Sequence, residues 1–194
     1  MYKPLLLNKK NFLSNLDVSK KEIYYLLEVA EKLKKKELNF FLKNKVLGLI
    51  FDKPSTRTRV SFQVAMTRLG GTTIEINPST SQLGRGEPIK DTARVLSRYC
   101  DALAIRTFDQ SDLEEYAQWS TIPIINALTD EEHPCQALAD FFTVKEEFGD
   151  FDDIIFCYIG DSNNVANSLI LCGALLGVEM RIASPKGYDP KPQV

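Results

Sequence analysis

The sequence predicts an α/β protein built on a parallel sheet, and three observations carry that prediction. Short apolar runs and segments of helical periodicity alternate four times in succession. The same alternation restarts after Gly149-Asp150, as a second unit would. Finally, 194 residues at 44% hydrophobic composition can bury one full core and part of another.

The elements follow in order. Asp17 or Ser19 caps a first helix that carries Ile23, Leu26, Leu27, Ala30 and Leu33 on one face. Strands are expected near 45–51, 72–76, 101–106 and 122–126. They are followed by helices near 57–69, 88–99, 111–119 and 134–148. Strand and helix in strict alternation favour parallel strands covered by helices. Residues 77–87 (NPSTSQLGRGE) are polar and aperiodic, a long βα connection that suits a lid, a reach into a neighbour, or a mobile surface loop. Beyond Gly149 a strand is expected at Ile154 to Ile159, a turn at Gly160 to Asn164, a helix at Val165 to Leu176 and a strand at Val178 to Ala183. The expected domains are 1–149 and the beginning of a second α/β domain at 150–194.

Composition narrows the function classes. A net charge of −2 with mixed signs argues against nucleic-acid or membrane-surface partners. The run of Lys32, Lys34, Lys35 and Lys36 ends a helix, where cations complement the dipole. No apolar stretch approaches a membrane span, and the lysine-rich start lacks a signal-peptide core. Cys100, Cys135, Cys157 and Cys172 have no CxxC spacing and mostly lie in apolar segments, as buried thiols of a cytoplasmic protein would. With His133 the single histidine, a conventional zinc site is not expected.

Ligands of parallel sheets collect at the carboxyl ends of strands. The first such end here reads Ser55-Thr56-Arg57-Thr58-Arg59 and opens a helix. Unpaired N–H groups, the positive end of the dipole, three hydroxyls and two forked guanidinium groups together suit an anion. A plain N-cap followed by a solvated basic turn is the structural alternative. Arg106 ends a strand and points into the crevice or into solvent. His133 precedes Pro134, a favoured first helical residue, and so sits at another helix N-terminus; it is otherwise an exposed loop residue. Gln136 lies one turn further on and can face the same way.

Three segments, FDKPSTRTRVSF at 51–62, SQLGRGEPIKDTARVLSR at 81–98 and DEEHPCQALADFF at 130–142, resemble the aspartate/ornithine carbamoyltransferase superfamily. GDSNNVANS at 160–168 extends the likeness, and SQLGRGEP around Gln82 resembles the ornithine branch. Neither a Walker A nor a GxGxxG pattern occurs. The resemblance implies a parallel-sheet carbamoyl-phosphate domain followed by the start of a Rossmann-like domain that binds the amino acid. It implies that Ser55, Thr56, Arg57 and Thr58 hold the phosphate of carbamoyl phosphate. Arg106, Thr58 and His133 would polarise the carbamoyl oxygen, within a segment whose Pro134, Cys135 and Gln136 complete the ligand's contacts. Gln82 would act on an adjacent subunit's site in a homotrimer, and Asn164 would hold L-ornithine.

The implied reaction gives citrulline and phosphate, a step of arginine biosynthesis, with neither metal nor organic cofactor. Putrescine, N-acetylornithine and aspartate are alternative acceptors, and an inactive carbamoyl-phosphate-binding protein is the alternative outside catalysis. The family's Asp…Ser-Met-Gly loop and His-Cys-Leu-Pro segment do not occur in the sequence. The 194 residues are therefore expected to be part of a longer protein and inactive alone. Two strands and a helix are expected to bury Ile154, Phe156, Leu169, Leu175 and Val178 inadequately.

Overall fold

The computed structural model describes residues 6–38 and 42–194; the first five residues of the expected first domain and residues 39–41 lie outside that description. Helix α1 (Lys20–Lys34) begins at Ser19, whose hydroxyl accepts from the Glu22 N–H while the Glu22 carboxylate accepts from the Ser19 backbone. This reciprocal capping box decides the start in favour of Ser19. Asp17 instead ends a short 3₁₀ turn, Asn15–Asp17, capped by Ser14. The lysines at the end of α1 make surface pairs, Lys35 with Glu31 at 2.6 Å and Lys34 with Glu146 at 2.7 Å.

Strand β1 (Val46–Phe51), helix α2 (Arg57–Arg68), strand β2 (Thr72–Ile76), helix α3 (Ile89–Leu96), strand β3 (Ala102–Arg106), helix α4 (Gln110–Trp119), strand β4 (Ile124–Leu128) and helix α5 (Pro134–Phe148) follow. The four strands form one parallel sheet in the order β2-β1-β3-β4. Phe12 bridges Ile125 in parallel beyond β4, exchanging backbone bonds with Ile124 and Asn126. At Gly48, in the middle of β1, an added Cβ would lie 2.5 Å from Leu103 Cδ2, so any side chain there would force the buried Leu103 to shift. One face of the sheet buries Ile50, Leu103, Ile105 and Ile124 against Ala93, Leu113 and Tyr116 of α3 and α4. The other buries Leu47, Leu49, Ala104 and Ala127 with Met66 of α2.

Strand β4 starts two residues later than the sequence suggests. Ser120 and Ile122 are tied in a turn by the Ser120 hydroxyl, and Pro123 has no N–H to donate. The strand instead runs on through buried Asn126 to Leu128, which brings Thr129 to the sheet's carboxyl edge. Helix α3 is shorter than expected because Arg98 and Tyr99 tighten into i→i−3 bonds. The long connection after β2 holds two single 3₁₀ turns, Pro78–Thr80 and Leu83–Arg85, and Gln82 is exposed at the start of the second.

The second unit is strand β5 (Ile155–Ile159), helix α6 (Asn164–Leu176) and strand β6 (Glu179–Ala183), with β5 and β6 parallel. Leu169 and Val178 are buried, contrary to expectation, because α1 and α5 cover them. They share a core with Ile23, Leu27, Ala137 and Phe141. Phe141 packs on Phe151 and Phe156 at 5.7 and 5.4 Å between ring centroids. Ile154, Phe156 and Leu175 pack partly buried against this core. The opposite face of β5 is bare, with Ile155 and Ile159 exposed. Cys157 is exposed there too, unlike buried Cys100 and Cys172, and all four cysteines are unpaired. Among the described residues, no helix is long and apolar enough to cross a membrane.

Candidate active site

Three strand ends of the larger sheet open onto one cavity of about 920 Å³. After β1 the chain turns into α2 with Thr56 at the N-cap, and no side chain caps the helix there. The first-turn N–H groups are therefore left for a ligand, flanked by Ser55, Thr56, Arg57 and Thr58, which all line the cavity. Arg59 departs from expectation. Its guanidinium pairs with Glu75 of β2 at 2.8 Å and lies over the Phe51 ring, so only one arginine of the motif serves this cavity.

Arg106 ends β3 and lines the cavity. The β3–β4 register slips between Ile105 and Arg106, an irregularity of the kind that re-aims a side chain. Its Nε is buried with no hydrogen-bond partner, and burial lowers its pKa. A guanidinium so placed favours an incoming anion.

The third strand end leads through Thr129 to His133, the N-cap of α5, with Pro134 at the first helical position and no side-chain cap. A second uncapped helix N-terminus thus borders the same cavity, with His133, Cys135 and Gln136 on its lining. Burial, assisted by the nearby charge of Arg106, lowers the His133 pKa to about 4. The imidazole is therefore neutral at ordinary pH, and its Nδ1 is buried without a partner. Burial pushes the Cys135 thiol up to about 12; its sulfur donates to the Asn126 carbonyl at 3.4 Å, so it is no thiolate nucleophile.

The turn that carries His133 is held by α6 of the second unit. The Ser168 hydroxyl accepts from the His133 N–H at 2.8 Å and reaches the Glu132 carboxylate at 3.3 Å. Asn167 Nδ2 donates to the Glu131 carbonyl at 2.9 Å, and Asn164 Nδ2 to the Thr129 carbonyl at 2.6 Å. These three residues share one face of the first turns of α6. Glu132 is buried enough to raise its pKa, against hydrogen bonds that lower it, including one from the Asn15 N–H.

Of the residues singled out in the sequence, Ser55, Thr56, Arg57, Thr58, Arg106, His133, Cys135 and Gln136 meet at this cavity. Pro134 is buried behind it, its carbonyl 3.5 Å from Asn15 Nδ2. Gln82 is not among the residues lining its own chain's cavity, and Asn164 lies beside lining residue Val165 with its amide nitrogen engaged. Sequence reading missed Ser61, Phe62 and Ala65, and likewise Ala139 and Asp140. Helical spacing could have found them: they follow Thr58 by three, four and seven residues, and Gln136 by three and four. Gln136 Nε2 donates to Asp140 Oδ1 at 2.9 Å; burial raises the Asp140 pKa while this bond opposes the rise.

A parallel sheet that directs two helix N-termini without side-chain caps, and an arginine whose Nε has no partner, at one cavity suits an anion. The sequence matches the family model described as aspartate/ornithine carbamoyltransferase, carbamoyl-P binding domain, over residues 10–146. Residues 152–194 match the Asp/Orn binding domain of the same proteins. The chain belongs to the aspartate/ornithine carbamoyltransferase family. Within it, the chain is 71% identical over its whole length to an ornithine carbamoyltransferase of Prochlorococcus marinus subsp. pastoris, of which it covers 63%. Identity to the ornithine carbamoyltransferase of Nostoc punctiforme is 55%, over 95% of this chain and 60% of the relative. The solved ornithine carbamoyltransferase from Pyrococcus furiosus superimposes with a TM-score of 0.92 at 45% identity, covering 98% of this chain and 62% of that one. The Gloeobacter violaceus enzyme gives 0.88 at 49% identity, covering 95% and 61%. The chain thus spans less than two thirds of the length of these relatives.

Proposed function

We propose that the cavity binds carbamoyl phosphate and that the protein transfers its carbamoyl group to the side-chain amine of L-ornithine, giving citrulline and phosphate. The observation that carries this reading is the convergence of the α2 and α5 N-termini with Arg57 and Arg106 on one cavity. The phosphate sits against the first turn of α2, where Ser55, Thr56 and Thr58 donate hydroxyl bonds and Arg57 makes a forked one. Arg106, Thr58 and His133 face the carbonyl oxygen, and Gln136 the carbamoyl amide.

The uncharged amine attacks the carbonyl carbon, and negative charge gathers on the carbonyl oxygen. The new C–N bond persists, the C–O bond to phosphate breaks, and the proton that the amine loses leaves on the departing phosphate. His133, held neutral, donates an N–H to the oxygen without surrendering a proton; each donor of this kind is typically worth ~10²–10³ in rate. Arg57 and the helix terminus neutralise the departing phosphate. Holding both reactants in one crevice supplies much of the remaining acceleration.

Residues 1–149 act as the carbamoyl-phosphate unit and 150–194 as part of the acceptor unit, with Asn164 on the ornithine side. Exposed Gln82, away from its own cavity, supports a homotrimer in which it completes a neighbour's site. Four unpaired cysteines suit the cytoplasm, where arginine biosynthesis would use this step. The test is transfer of labelled carbamoyl phosphate by the full-length protein to ornithine, putrescine, N-acetylornithine and aspartate in parallel. Ornithine is expected to be carbamoylated fastest. Preference for another acceptor would replace the proposed substrate, and transfer to none would leave a binding protein.

A further inference from the structure

We infer that Asp140 sets the cavity's preference for an acyl group bearing NH₂, by turning the Gln136 amide so that its carbonyl faces the ligand. The inference rests on the carbamoyl phosphate reading above and adds a residue to it.

Asp140 follows Gln136 by one helical turn on α5, and both line the cavity. Gln136 Nε2 donates to Asp140 Oδ1 at 2.9 Å. An ionised carboxylate only accepts hydrogen bonds. The Gln136 amide therefore cannot reverse without losing this bond and setting two acceptors against each other. Its nitrogen is committed to Asp140, and Oε1 is the end left for a ligand.

Among the charged side chains of this wall only Asp140 accepts, and its Oδ1 already takes the Gln136 N–H. Arg57 and Arg106 are donors only, and the hydroxyls of the α2 turn are directed to an anion. A carbamoyl NH₂ thus finds its partner in Gln136 Oε1. A methyl in the same place would leave that oxygen unpaired, and sites built to hydrogen-bond a ligand group reject analogues lacking it. Asp140 does this through its bond to Gln136, so it is a positioning residue.

Two stable phosphonates test the inference: phosphonoacetamide, which carries the NH₂, and 2-oxopropylphosphonate, which carries a methyl in its place. Their affinities for the full-length protein are measured by isothermal titration in wild type, Asp140→Asn and Asp140→Glu. Wild type is expected to favour the amide. Asparagine offers both a donor and an acceptor, so Gln136 can turn, and the preference is expected to fall about tenfold in Asp140→Asn. Loss of a negative charge should strengthen binding of both anions alike and cancels in the ratio. Asp140→Glu restores an acceptor and should keep most of the preference.

An unchanged ratio in folded Asp140→Asn would reduce the pair to an ordinary helix-surface contact and overturn the inference. An equal fall in Asp140→Glu would also overturn it, by showing that shape rather than accepting character matters. Wild type binding neither phosphonate would instead remove the carbamoyl phosphate reading itself.

Discussion

His133 shows how burial prepares a side chain for one task. An exposed imidazole of pKa near 6.5 would be partly charged near neutrality and would compete with Arg106 for the same anion. Burial and Arg106 together hold it neutral until about pH 4, so it offers a fixed donor throughout the physiological range. Being the single histidine of the sequence, it gives one imidazole titration by NMR, expected near pH 4. The folded pKa lies below the unfolded one. As pH falls from about 6.5 towards 4 the unfolded chain binds a proton that the folded chain refuses, and stability is lost over that window. A midpoint near 6.5 would mean an exposed ring. His133→Ala in the full-length protein should lower turnover by ~10²–10³ with little change in phosphate affinity, since its N–H matters most as charge develops. Loss confined to KM would contradict the oxyanion role.

At the scale of elements, the aim of His133 is set from the second unit, because the polar face of α6 fastens the turn at Thr129, Glu131 and His133. Ser168→Ala leaves the His133 N–H without its acceptor. It is expected to cost about 1 kcal/mol of stability and to lower kcat more than the affinity for carbamoyl phosphate. Equal stability and kcat in steady-state and denaturation measurements would show that α6 merely abuts the turn. Most strands and helices were legible because the chain alternates apolar runs with helical periodicity. The STRTR and HPCQ motifs were legible because each opens a helix. The misreadings have local causes. Asn126 is polar yet buried, its amide nitrogen satisfied by the Leu13 carbonyl from 113 positions away, so β4 was placed too early. Arg59 counted as an anion ligand because the sequence does not reveal that Glu75 stands opposite it on β2. Asp140 passed unnoticed because its importance lies in a hydrogen bond to another side chain, a relation that composition does not mark.

For the whole molecule, the two sheets are joined through a core formed by α1, α5 and α6, with fully buried Phe141 at its centre. Phe141→Ala is expected to destabilise the protein by about 3–5 kcal/mol, read as a lowered denaturation midpoint. Because α5 carries both Phe141 and the turn at His133, core packing and the cavity share one helix. The cavity likewise depends on parts far apart in sequence, with lining side chains supplied from the ends of β1, β3 and β4. Its binding of carbamoyl phosphate is tested most directly by isothermal titration of the full-length protein and of Arg57→Ala. A charge-assisted bond contributes about 1.5–3 kcal/mol, so wild type should bind saturably and the variant about ten- to a hundredfold more weakly, with its fold intact by circular dichroism. Equal affinity in a folded Arg57→Ala would contradict this assignment, and would mean that carbamoyl phosphate binds away from the α2 N-terminus.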